Sequence, residues 1–198
     1  MPGLAEDLRR YVQAMLPKLE QRFQSREDLL LISREVIRYS GETISLSHKG
    51  RKEEALKRFE TAKAKLEEMN QRVKAFPDLL YGDVGTAYQE VSEAAVVLSV
   101  YFDLPLPSPE ELGVPEQHYL LGLADAVGEM RRRVLELLRK GQREEAERTY
   151  QLMEEVYNVL WELEYPKALV PNLRQKIDYM RKMLEETHHD LFVAEVSR

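Results

Sequence analysis

The chain has 198 residues, 43% hydrophobic and 32% charged, with a formal net charge of −6 and no Cys. That length is enough to bury a sizeable core, and the lack of Cys excludes disulfides, thiolate metal sites and cysteine nucleophiles. The acidic balance argues against a protein that coats nucleic acid indiscriminately, while leaving room for a local basic groove.

The first segment places Leu4, Leu8, Tyr11, Val12, Met15 and Leu19 at helical spacing, with Pro17 predicted to kink or restart it. Its mixture of early acids and arginines does not read as a signal peptide. Ser25 to Asp28 resembles a capping signal opening a second helix through Leu29, Ile32, Val36 and Ile37, closed by Lys49-Gly50. A third, amphipathic helix runs to Phe76 and ends at Pro77, and a fourth covers Val84 to Phe102. That fourth segment contains the longest apolar run, Ala94 to Phe102, which is too short to span a bilayer. The proline-rich segment Asp103 to Pro115 is a linker with a short turn of helix at Ser108-Pro109. Further helices are predicted over Glu116 to Lys140, Arg143 to Glu164 with a break at Tyr165-Pro166, and from about Pro171 to Asp190. The expectation from these patterns is an essentially all-helical, cytoplasmic chain with no membrane segment, folded as one large domain or two small ones. The stretches KGRKEEALKRF (Lys49 to Phe59) and KGQREEAERTY (Lys140 to Tyr150) echo each other 91 residues apart. No short repeat period fits that spacing, so they read as two similar helix–helix turns.

Two short stretches carry chemistry. In AYQEVSEAA, Glu90 and Glu93 share one helix face ahead of Ala94, Ala95, Val96 and Val97. In YLLGLADAVGEM, Asp125 and Glu129 share a face among Leu121, Ala124, Val127 and Met130. Glu93 lies nine residues before Phe102 and Asp125 nine after Glu116. If the linker makes the two helices antiparallel, both pairs lie about 13 Å from it and converge at one level. Solvated outer faces are the ordinary fate of helical acids, and Glu110, Glu111, Glu144 and Glu145 are read that way. Convergent carboxylates in apolar surroundings instead need a cation, and an all-oxygen site selects Mg²⁺, Mn²⁺ or Ca²⁺. A di-iron site built on Glu-x-x-His pairs is the nearest competitor, but none of these four acids has His three residues on.

These residues resemble the translin family, and within it the translin-associated factor X (Trax) branch. QEVSEA (Gln89 to Ala94) is similar to the Q-E-Y-V-E-A of Trax, and YLLGLADAVGEMRR to its Y-L-L-G-V-A-D-L-T-G-E-L-M-R. LLLISREVIRYSGETISLSHK resembles the family's second helix, and YPKALVPNLRQKIDYMRKMLEET its last. The resemblance implies an all-α, single-domain bundle of about seven helices over residues 1–198, a closed homo-oligomer, typically octameric, and a Mg²⁺- or Mn²⁺-dependent endoribonuclease acting on single-stranded RNA. Carried over by motif, Glu90, Glu93, Asp125 and Glu129 are the catalytic and metal-binding residues. The alternative is a non-catalytic single-stranded RNA- or DNA-binding protein of the translin kind; a plain helical scaffold is a third reading. The family's basic stretch after Phe-Pro is missing, because FPDLLYGDVGTAY holds no basic residue. Candidate nucleic-acid contacts are therefore Arg34, Arg38, Arg131, Arg132, Arg133, Arg174 and Lys176, with Arg132 foremost. Tyr88 and Tyr119 are candidate stacking platforms, although aromatics beside packing faces are more often core.

Overall fold

The computed structural model describes residues 2–80, 82–163 and 168–196, and every regular element among them is helical. Seven α-helices follow in order: α1 (Pro2–His48), α2 (Lys52–Ala75), α3 (Asp83–Phe102), α4 (Pro109–Leu112), α5 (Glu116–Arg139), α6 (Arg143–Trp161) and α7 (Leu173–Val196), with a 3₁₀ turn at Pro77–Leu79. None of them is long and apolar enough to cross a membrane.

The count agrees with expectation, but the first boundary does not. α1 is one helix of 47 residues that runs through both Pro17 and the Ser25–Asp28 signal. A capping motif acts only where the chain leaves helical geometry, and between Pro17 and Leu29 no further Gly or Pro forces it out. Pro17 itself removes one backbone donor. The carbonyl that loses this partner lies in an exposed part of the helix, where water can replace it. The seventh helix of the count is α4, whose four residues are held by a capping box between Ser108 and Glu111. The expected break at Tyr165-Pro166 lies outside the described residues.

Ion pairs and contacts give the helix directions. Arg58 meets Glu42, Lys65 meets Glu35 and Arg72 meets Asp28, so α1 and α2 form an antiparallel hairpin. Tyr88 bonds Asn70 and Lys52 stands over Phe102, so α3 is antiparallel to α2 and parallel to α1. The same order recurs in the second half, where Arg133 faces Glu145 across the α5–α6 hairpin and Asp125 and Arg131 reach Lys176 and Thr187 on α7. Both hairpins turn at a glycine with positive φ, Gly50 at 69° and Gly141 at 73°, a conformation glycine adopts most readily because it has no Cβ. The echoed sequences thus make two equivalent turns.

One core lies within α1, α2 and α3, built on Leu29, Val36, Leu66, Met69, Val91 and Val97. A second lies among α5, α6 and α7, built on Val127, Met130, Val134, Met153, Leu160 and Met180. The two units meet along α3 and α5. That contact corrects the antiparallel expectation. Gly85 lies against His118, Gly122 against Gln89 and Ser92, and Arg133 against Tyr101, so α5 runs parallel to α3 with a constant offset. The thirteen-residue linker is long enough for this, since extended chain reaches about 3.3 Å per residue and α3 spans only about 30 Å. It returns along the bundle, burying Leu112 and Val114 and latching Gly113 to α2 through the Asn70 amide.

Candidate functional site

The site is built where α3 and α5 approach most closely. α3 is helical because its small and branched residues Ala87, Val91, Ala94, Ala95 and Val97 pack on neighbours at helical spacing. α5 presses Gly122 into it. A Cβ at Gly122 would stand 2.6 Å from both the Gln89 carbonyl oxygen and the Ser92 Cβ, and 3.2 Å from the Glu93 nitrogen. Only glycine permits that approach. It sets Glu90 and Glu93 of α3 level with Asp125 and Glu129, one and two turns further along α5.

All four acids are half-buried, and they act on one another. Burial, then Glu90, Asp125 and Glu129, pushes the Glu93 carboxyl up to about 8, with Lys176 opposing. Glu90 is raised by burial and by Asp125, and more weakly by Glu129, again against Lys176. Neither glutamate makes a hydrogen bond or ion pair among the described residues. Glu129 moves the other way, because a hydrogen bond from His48 holds it below the usual carboxylate range, burial opposing and Arg132 helping. Asp125 is ion-paired with Lys176.

The predicted acids therefore come together, by a parallel register in place of the antiparallel one expected. They do so as a coupled group rather than a finished ligand set. Among the described residues no three His, Asp or Glu side chains stand ready to hold a metal ion, Asp125 and Glu129 being engaged by Lys176 and His48. The donor chemistry nevertheless fits a divalent cation: four carboxylates share one low-polarity site, and two of them have no partner of their own among the described residues.

The candidate cations divide. Lys176 lies within the acidic group itself. Arg132 is exposed at its edge, 3.9 Å from Glu129 and 3.5 Å from Glu136. Arg131 is tied to Thr187 and Asp190 of α7, and Arg133 stands 4.4 Å over the Tyr101 ring. Arg34 and Arg38 are exposed on α1, the first 3.5 Å from Asp83 and the second 4.0 Å from Glu35 and against Tyr39. Arg174 is exposed and makes no ion pair among the described residues. Tyr88 and Tyr119 are buried, Tyr88 bonding Asn70 and Tyr119 the Pro107 carbonyl, which leaves neither ring face open to a base. Glu185–His188 and Glu186–His189 are this chain's Glu-x-x-His pairs, and all four residues are exposed on α7.

His48 was not among the candidates. Its side chain is 3% exposed, it hydrogen-bonds Glu129 through Nε2, and it meets the Tyr101 hydroxyl at Nδ1. A histidine four residues after the buried Ile44, on one helix face, was the available signal.

Comparison with known proteins agrees with this architecture. The translin family model matches residues 79–193, more than half of the chain. This chain belongs to the translin family. An uncharacterised protein of Methanocaldococcus jannaschii is 37% identical over 173 residues, covering 84% of this chain and 74% of that protein. The fold matches a structure of AfC3PO in complex with duplex RNA at TM-score 0.86 and 33% identity, over 94% of this chain and 97% of that one. Apo-NeC3PO, at TM-score 0.81 and 24% identity over 90% and 96% of the two chains, shares the fold. The family match spans α3, α5, α6 and nearly all of α7, and so contains all four acids.

Proposed function

We propose that this chain is a Trax-like member of its family, a divalent-metal-dependent endoribonuclease that cleaves single-stranded RNA. The observation that carries the reading is the mutual approach of Glu90, Glu93, Asp125 and Glu129 from two parallel helices, with the Lys176 ammonium paired to Asp125 and acting on Glu90 and Glu93. Such a group is unfavourable in isolation, because like charges in low-polarity surroundings repel and lose hydration. A helix seam that needed only stability would fill with aliphatic side chains. These four residues would hold Mg²⁺ or Mn²⁺, which when bound supplies an activated hydroxide and neutralises charge at the scissile phosphate. Lys176 answers part of the repulsion and is placed to meet a phosphate oxygen as the acids take up metal. Arg132, exposed at the edge, and Arg174, exposed and without an ion pair among the described residues, are the phosphate contacts this reading favours. Arg34 and Arg38 hold weak, exposed ion pairs that a phosphate can replace. Arg131 and Arg133 are occupied within the fold.

Binding of RNA by a relative supports an RNA substrate here, and duplex RNA in that relative makes strand preference a direct question. We further infer that the working form is a closed homo-oligomer of the octameric kind, acting in the cytoplasm. Leu4, Leu8, Tyr11, Val12, Met15, Leu16, Leu19 and Phe23 line one stripe of α1, each between 53% and 58% exposed. An apolar stripe of that length on a helix standing clear of the bundle is suited to bury against copies of itself.

The deciding experiment is cleavage of an end-labelled single-stranded RNA with and without Mn²⁺, beside a duplex of the same sequence. Cleavage of the single strand that requires Mn²⁺ and is lost in Asp125→Asn supports the reading. Metal-independent binding without cleavage would leave the non-catalytic alternative in its place.

A further inference from the structure

We propose that His48, the last residue of α1, is a positioning residue for Glu129, and that the Tyr101 hydroxyl fixes the imidazole for that task. The inference rests on the metal-site reading above and adds a residue outside the acidic group.

An ionised carboxylate only accepts hydrogen bonds, so the ring proton facing Glu129 is on Nε2. In the neutral ring Nδ1 is then the acceptor, and the Tyr101 hydroxyl is positioned to donate to it. Each nitrogen thus has a hydrogen-bond partner of the matching kind, and the Glu136 carboxylate stands a further 3.8 Å from Nδ1. The ring cannot turn, because it packs edge-on to Tyr101 at 5.0 Å between centroids and is almost wholly buried. Tyr101 is itself held under the Arg133 guanidinium. Just beyond His48 the chain makes its tight turn at Gly50, so the imidazole is carried by a fixed helix end.

The consequence falls on one oxygen. His48 and Arg132 both approach Glu129 through Oε2, and Oε1 has no hydrogen bond among the described residues. Glu129 is thereby anchored through one oxygen, whereas among the described residues Glu90 and Glu93 have no such anchor. Partners of this kind behind a ligating carboxylate typically contribute 10–100-fold in metal affinity. They do so by removing orientations in which the carboxylate faces away.

The test is Mn²⁺ binding to the full-length, RNA-free protein, read by titration calorimetry. His48→Leu fills the space without a donor and is expected to weaken Mn²⁺ binding about 10-fold or more. His48→Gln keeps an amide N–H for the place of Nε2 and is expected to restore most of the loss. Placed in a Glu129→Gln background, His48→Leu should add nothing, because its effect passes through that carboxylate. Parent-like affinity in His48→Leu, or an equal further loss in the Glu129→Gln background, would overturn the proposal. Should His48→Leu lose its helical circular dichroism signal, Tyr101→Phe decides, since it keeps the ring and removes only the hydroxyl. A several-fold weaker site is expected there, and unchanged affinity overturns the role. A parent protein that binds no Mn²⁺ overturns the metal site and the positioning role together. A parent whose binding is lost in Glu129→Gln but kept in His48→Leu overturns the positioning role alone.

Discussion

Two three-helix units make up this molecule, and they share a plan without sharing a chemistry. In each, a helix turns back at a glycine with positive φ and a third helix then runs parallel to the first. The first unit lines α1 with buried Ser33, Thr43 and Ser47, whose hydroxyls bond their own helix carbonyls four residues back, so neighbouring helices come close. The second uses Met130, Met153, Met180 and Met183, flexible side chains that fill irregular space. At the 91-residue offset of the echoed turns, Asp125 and Glu129 of α5 correspond to Arg34 and Arg38 of α1. The acidic group thus belongs to neither unit. It arises at the seam, where α3 of one meets α5 of the other, and the shared scaffold leaves the seam free to carry function.

The largest effect should come from the seam itself. Asp125→Asn or Glu129→Gln is expected to reduce Mn²⁺-dependent cleavage at least about 100-fold while leaving circular dichroism unchanged. Either variant cleaving at the parent rate would remove the acids from the mechanism.

The units also differ at their free ends, because α1 extends past its partners and α5 does not. Leu8→Glu combined with Val12→Glu should break self-association, shifting light-scattering mass toward the 23.2 kDa chain. If the parent protein already runs as a monomer at micromolar concentration, the assembly reading is lost.

Glycine substitutions separate seam from scaffold more finely. Gly122→Ala forces α3 and α5 apart and should lower stability by roughly 1–3 kcal/mol, with weaker Mn²⁺ binding. Gly41→Ala lies mid-helix in α1 with nothing within 4 Å. It should stabilise the protein by roughly 0.5–1 kcal/mol and leave the metal site alone. Equal thermal shifts from the two would mean that the close approach at Gly122 contributes nothing special.

The smallest effect is a pH dependence. Glu93 titrates near 4.5 when unfolded and at about 8 when folded, so the folded protein binds the extra proton between those values. Its stabilising contribution is complete below about pH 4.5 and lost as pH rises through about 8. Glu93→Gln should therefore raise the melting temperature of metal-free protein at pH 9 relative to the parent, with the gain fading toward pH 4.5. A gain that is instead largest in acid would contradict the raised carboxyl.

Much of this was legible one residue at a time. Apolar residues at spacings of three and four predicted the helices from Val84 onward closely, except that α7 runs on to Val196, past the expected end at about Asp190. The apolar settings of Glu90, Glu93, Asp125 and Glu129 marked them as unusual. The unbroken course of α1 was missed because Pro17 and Ser25–Asp28 are local signals, and a helix ends only when continuing is worse than stopping. His48 was missed because its partners, Glu129 and Tyr101, stand 81 and 53 positions away.

The sequence by itself determined which segments are helical, where the chain turns at Gly50 and Gly141, and which residues carry charge among apolar neighbours. These follow from backbone propensity and short-range spacing, which involve only residues a few positions apart. The tertiary structure alone decided that α3 and α5 run parallel, that Gly122 sets the level at which the acids meet, and that Lys176 and His48 stand beside them. Helix direction depends on the path of a thirteen-residue linker that buries Leu112 and Val114 against other helices, and a pKa near 8 for Glu93 depends on charges brought close only by that packing.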